Sequence, residues 1–249
     1  MAALLARETH LPKRKWPRLI ELLQSYPDVA AAIWFCIAIF GYRLVAGFGP
    51  FERRSIVGAV QRQREQWLIN MAARDGRIVD AHLLGGLAQG NAFFASTSAL
   101  IIGGLAAMMG SGDKVQLLLE RLPYVAKSTA TFFELKLILL ITCFIYAFFK
   151  FAWAFRLSHY ASIMIGATPI LAPDQANLGA CKEHALRTAR LIGVAAEHAN
   201  GGLRAYYYAI ATMGWFFHPL AFVATTTWVI LILLRRDFFS RSRRLIAGA

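Results

Sequence analysis

From Leu83 to Met109 the chain carries no Asp, Glu, Lys or Arg, and an uncharged stretch of that length is what most narrows the folds open to it. At about 1.5 Å of rise per residue, about 20 apolar helical residues cross the ~30 Å hydrocarbon core of a bilayer. A helix also satisfies its own backbone hydrogen bonds where no water is available. Three more apolar runs lie at about 28–48, 132–155 and 206–234. The reading is all-α: an integral membrane bundle of four transmembrane helices with two amphipathic connecting helices. Residues 1–27 form a basic N-terminal segment, 28–238 the transmembrane domain and 239–249 a basic tail.

Composition enters only to exclude alternatives. Hydrophobic residues make up 57% of the chain and charged residues 16%, whereas soluble domains average about 25% charged. A formal net charge of +13 in a soluble protein would point to nucleic acid. Here Lys and Arg fall between and beyond the apolar runs, where they meet lipid headgroups and set topology. No basic stripe is interleaved with exposed aromatics, so nucleic acid is not an expected partner. Cys36, Cys143 and Cys181 show neither CxxC nor metal-ligand spacing. The first apolar run begins only after Pro27, behind Lys13, Arg14, Lys15 and Arg18. It reads as an uncleaved anchor.

Within this plan each segment carries a local signature. Asp28 is the expected N-cap of the first span, and the glycines and proline of 47–50 its stop. Ile56, Val60, Trp67, Leu68 and Met71 recur near helical spacing among arginines over 51–84, which predicts an amphipathic surface helix. The second span steps through Gly86, Gly90, Ala95, Ala99, Gly103 and Ala107. Such small residues let helix backbones approach closely, so this helix is expected to be the central packing element. A short helix is expected around 115–122. The connection 157–203 reads as a second amphipathic helix starting near Pro173 and stopping at Asn200-Gly201-Gly202. In the fourth span, Tyr206-Tyr207-Tyr208 suits the headgroup belt and Pro219 predicts a kink. Four spans put both termini on one side, and the Lys and Arg balance mildly favours the cytoplasmic side of the inner (plasma) membrane.

Three stretches, in this order and spacing, carry a family resemblance. Gln66-Trp67-Leu68-Ile69-Asn70-Met71 precedes the small-residue span, Arg156-Leu157-Ser158-His159-Tyr160 closes the third, and Gly202-Leu203-Arg204-Ala205-Tyr206-Tyr207-Tyr208 opens the fourth. With the four-span layout they resemble the domain-of-unknown-function 599 family of membrane proteins, over roughly 28–238. The resemblance implies a four-helix membrane architecture and no catalytic residues.

Antiparallel spans sort the polar residues by membrane side. One side collects Arg43, His82, Gln89, Asn91, Lys150, Arg156, His159, Arg204 and Tyr206. Converging cations would suit a phosphate or carboxylate; snorkelling to the interface is the competing reading. A second candidate lies at mid-depth, where His218 is expected beside Ser96, Thr97, Ser98, Thr142 and Cys143. His82 and His159 share a side and could hold haem between two imidazoles, although no cofactor and no metal is predicted. No GKS/T loop, GxSxG or HExxH is present, so catalysis has no motif behind it. The leading expectation is a non-catalytic structural or accessory component of a membrane assembly, packed with lipids and with its own copies or a larger complex. The alternative is a small transporter or a protein binding an anionic lipid or ligand. A haem-binding redox protein comes third.

Overall fold

The computed structural model describes residues 16–47, 55–74, 76–111, 115–117 and 129–248, with side chains from residue 26 onward. Among the described residues the chain is helical, without strands. The helices are α1 (Trp16–Gly47), α2 (Ile56–Ala72), α3 (Ile78–Met109), α4 (Ala130–Gly166), α5 (Leu178–Met213), α6 (Pro219–Phe239) and α7 (Arg241–Ala247), with a 3-10 turn, Gly214–Phe216, between α5 and α6. Four stretches, Tyr26–Ala46, Ile78–Met109, Ala130–Gly166 and Pro219–Ala247, are long and apolar enough to cross a membrane. This is the expected all-helical membrane bundle. Residues 48–54, the beginning of the first amphipathic segment, and most of the expected 115–122 helix lie outside the described residues.

Several boundaries differ from the sequence reading. Asp28 caps nothing: α1 starts at Trp16 and runs through Pro27. The 51–84 segment is two helices, α2 ending at Ala72 and α3 beginning at Ile78. Asn200-Gly201-Gly202 does not stop α5 either. A Cβ on Gly202 would come within 2.6–2.8 Å of the Phe151 ring, so this glycine lets α4 and α5 approach rather than ending a helix.

The largest difference is in the last apolar run. The expected single span at 206–234 is divided. Residues 206–213 finish α5, the chain turns at Gly214–Phe216, and α6 starts afresh at Pro219. Proline lacks an N–H and suits the first helical position. His218 sits before it in extended conformation, and its Nδ1 accepts from Leu220 N at 3.1 Å. The kink expected at Pro219 is therefore a helix start, and His218 is an exposed capping residue, not a mid-depth polar group.

This turn fixes direction. Trp215 Nε1 donates to Asp28 Oδ1 near the beginning of the α1 span, with Lys136 Nζ 3.5 Å away. At the opposite end of the same two helices, Tyr42 Oη donates to Asp237 Oδ2 at 2.6 Å. α1 and α6 are thus parallel, and the bundle has an Asp28 end and an Asp237 end. The C-terminal part of α5 runs between the two ends as well, from Arg204 beside Asp237 to the turn beside Asp28. The expectation that both termini share a side is corrected accordingly: Tyr26 and Ala247 lie at opposite ends.

α4 has 37 residues, about 55 Å of helix, far more than a bilayer core needs. The surplus emerges at the Asp237 end. There α2, the start of α3, the end of α4 and the start of α5 bury Leu68, Met71, Leu84, Ala161, Ile165, Cys181, Ala185 and Ile192 in a core of their own. Within the bundle, Phe35, Trp215, Phe222 and Leu233 pack α1, the turn and α6. Phe94, Ala95, Phe151 and Ala205 join α3, α4 and α5. The small-residue stripe is not the central packing surface. Ala95 is buried, but Gly86, Gly90, Ala99, Gly103 and Ala107 are exposed, and a Cβ on Gly86, Gly90 or Gly103 would meet nothing within 4 Å. α3 buries its larger residues, Leu84 and Leu105, against its neighbours instead.

Candidate functional site

At the Asp237 end the helices part around a cavity of about 360 Å³. α1 contributes Arg43, α2 begins there with Ser55 and Val57, and α4 supplies Tyr146 and Lys150. α5 presents Glu197, His198, Gly201, Arg204 and Tyr208, and α6 closes it with Asp237 and Phe238. His198, Gly201, Arg204 and Tyr208 follow steps of three and four, so a single face of α5 lines the wall once the helix runs on through the glycines.

Asp237 is 2% exposed and is satisfied by three donors: Tyr42 Oη at 2.6 Å, Arg204 Nη2 at 3.2 Å and Arg236 Nε at 3.0 Å. Two cations around one buried carboxylate leave the corner positive. The Arg204 guanidinium also lies 5.2 Å from the centre of the Tyr42 ring. Arg43 Nη1 donates to Tyr146 Oη at 3.3 Å, and Lys150 Nζ is 3.4 Å from His198 Nδ1. Neither Arg43 nor Lys150 has a carboxylate within 4.0 Å among the described residues. Glu197 has Arg64 of α2 as an electrostatic partner. Burial, and then the adjacent Lys150 charge, hold the His198 imidazole below its ordinary value. Arg204 Nε and Tyr208 Oη are buried without a hydrogen-bond partner among the described residues, and both residues line the cavity. Buried polar atoms are rarely left unsatisfied, so both remain available to a bound anion.

Of the residues expected on this side, Arg43, Lys150 and Arg204 converge on the cavity. Arg156 lines an adjoining cleft with Lys150. Asn91, His82 and His159 line neither; Asn91 is half-buried, and the two histidines are exposed, His159 packing edge-on against Phe155 at 4.5 Å. Tyr206 turns to α3, its hydroxyl 3.0 Å from Ser98 Oγ and donating to Phe94 O at 3.2 Å. Thr97 and Thr142 donate to carbonyls in their own helices. Sequence reasoning missed Asp237, whose signal was a lone acid after Arg235-Arg236 at the end of an apolar helix. It also missed His198 and Tyr208, because the expected stop at 200–202 assigned them to separate elements.

The second concentration of buried charge, Asp28 with Lys136 and Trp215, is closed. Lys136 is 3% exposed and Asp28 8%, and the pair ties α1 to α4. Asp80 is likewise held by Arg74 and Trp67 outside the bundle.

Fold and site together define a helical membrane protein with four long apolar helices, a helical cap at one end and a cation-rich cavity where the two meet. The chain belongs to the family described as "Protein of unknown function, DUF599", whose model matches residues 30–242. No curated protein and no solved structure matches the chain.

Proposed function

We propose that this membrane protein binds an anionic group, a phosphate or carboxylate, in the cavity at the Asp237 end. The reading is carried by Arg43, Lys150 and Arg204, which arrive from three helices at one cavity of about 360 Å³, two of them with no carboxylate within 4.0 Å among the described residues. Charge-assisted hydrogen bonds from Lys and Arg are the usual means of holding such groups. Of the other lining side chains, Ser55 Oγ accepts from Gly58 N as the cap of α2, and Asp237 is held by its three donors. The test is thermal unfolding of the purified protein in neutral detergent with inorganic phosphate added. A ligand at about 100 times its Kd stabilises by about 2.7 kcal/mol, so the midpoint rises for the natural chain and stays fixed for Lys150→Gln and Arg43→Gln. A midpoint that responds equally in all three removes the proposal.

We assign the Asp237 end to the cytoplasmic face of the inner membrane. Support comes from Arg62, Arg64, Lys182, Arg187, Arg190, Arg241, Arg243 and Arg244 on the helices of that end, with Arg74 and Arg77 in the turn between α2 and α3, since Lys and Arg are retained on the cytoplasmic side. A second reading, packing into an assembly, is favoured by the uncovered Gly86, Gly90 and Gly103. Cross-linking in native membranes through cysteines at Ala99 and Ala107 tests it: an inert α3 face counts against it.

A further inference from the structure

We infer that the anion this cavity takes is the doubly charged phosphate of a small, water-soluble phosphate monoester, whose carbon portion fills the rest of the same space. The inference rests on the anion-binding reading above and names the class of ligand. The charge balance selects a dianion. Asp237 stands between Arg204 and Arg236, which leaves that group one positive charge in excess. Arg43 and Lys150 add one each, with no carboxylate within 4.0 Å among the described residues. Glu197 also lines the cavity, and Arg64 opposes its charge. A monocarboxylate or a phosphate diester brings a single negative charge to this surplus. A phosphate monoester above its second pKa of about 6 brings two.

The donors are spread in space as a tetrahedral group requires. Tyr146 links two of the cations: its hydroxyl accepts from Arg43 Nη1 at 3.3 Å, and Lys150 Nζ lies 5.4 Å from its ring centre. The charges of Arg43 and Arg204 both act on Tyr208. The Tyr208 hydroxyl and Arg204 Nε are buried with no hydrogen-bond partner among the described residues. Donors thus reach one space from α1, α4 and α5. A phosphate ester presents three strong acceptor oxygens in three directions, whereas a carboxylate presents two in one plane. At about 360 Å³ the cavity falls at the small end of ligand sites, about 300–1,000 Å³. A bare phosphate leaves much of it unfilled, and Ala46, Val57 and Phe238 give a short carbon portion an apolar wall.

Thermal unfolding of the full chain in neutral detergent at a pH of about 8, where the monoester is doubly charged, tests this with five probes. They are glycerol 3-phosphate, inorganic phosphate, glycerophosphoglycerol (a soluble diester with one charge), succinate (a dicarboxylate) and phosphatidic acid (the monoester on acyl chains). Glycerol 3-phosphate should give its half-maximal rise in midpoint at a concentration about tenfold below the others. Tyr208→Phe should weaken it about tenfold. Without ligand the same variant should unfold at an unchanged or higher temperature, because the deleted hydroxyl has no partner to lose. Ala46→Leu, which narrows the apolar wall and leaves every cation in place, should weaken glycerol 3-phosphate and spare inorganic phosphate. The monoester inference falls, and the anion site stands, if inorganic phosphate acts through Lys150 while any other probe equals glycerol 3-phosphate. It falls in the same way if Tyr208→Phe or Ala46→Leu binds glycerol 3-phosphate unchanged. If no probe loses its effect in Lys150→Gln, both fall.

Discussion

Asp237 shows how one carboxylate organises its surroundings at the residue scale. It is buried between Tyr42, Arg204 and Arg236, and removing its charge leaves two guanidinium groups facing each other without a counter-ion. Breaking a buried pair by deleting one partner costs about 3–5 kcal/mol; both arginines keep some contact with water, so Asp237→Asn is expected to cost about 2–3 kcal/mol on that scale. Tyr42→Phe removes one hydrogen bond, about 1 kcal/mol. Thermal unfolding in detergent ranks the two. His198 provides a pH dependence. It faces Lys150, Tyr146 and Trp153 of α4, with Arg43, Arg204, Glu197 and Asp237 around the same cavity. Burial and Lys150 lower its pKa from the ordinary 6.5, so the neutral ring prevails in the empty protein. A bound anion favours the protonated ring, so binding takes up a proton as the pH falls. The ratio of phosphate affinities, natural chain over His198→Gln, should therefore rise with falling pH, the titration of phosphate itself being common to both.

The two adjacent glycines of α5 separate two roles at the element scale. At Gly202 a Cβ would be driven into the Phe151 ring at 2.6–2.8 Å, and overpacking of this kind costs about 1–3 kcal/mol. At Gly201 it would meet Lys150 carbons at 3.5 Å, ordinary contact, and replacing a helical glycine by alanine gains up to about 1 kcal/mol. Gly202→Ala should lower the unfolding midpoint and Gly201→Ala should hold or raise it. Equal effects would show that α4 and α5 are not in close contact there. The sequence signal at this point, Asn-Gly-Gly, was read as a stop because glycine is common after helix ends. What overrides it is a ring on another helix, invisible to local pattern.

The direction of the last helix is a property of the whole molecule. With α1 and α6 parallel, single cysteines at Tyr26 and Ala247 should react with a membrane-impermeant thiol reagent from opposite sides of sealed vesicles, in a chain whose Cys36, Cys143 and Cys181 are replaced. Labelling from one side would restore the arrangement that the sequence suggested. Sequence alone determined that the chain is helical and that four stretches are solvated by hydrocarbon, because hydrophobicity and length are summed along the chain and need no knowledge of neighbours. It also supplied Arg43, Lys150 and Arg204 as candidates, since cations at span ends stand out in an apolar chain. Only the tertiary structure decided that they share a cavity with Asp237, that the small residues of α3 face outward and that 206–234 divides at Gly214–Phe216. Those outcomes depend on contacts between residues separated by 187 positions, Trp215 with Asp28, and by 195, Tyr42 with Asp237. Burying a charge is tolerable only where a partner is waiting, and which partner waits is settled by packing.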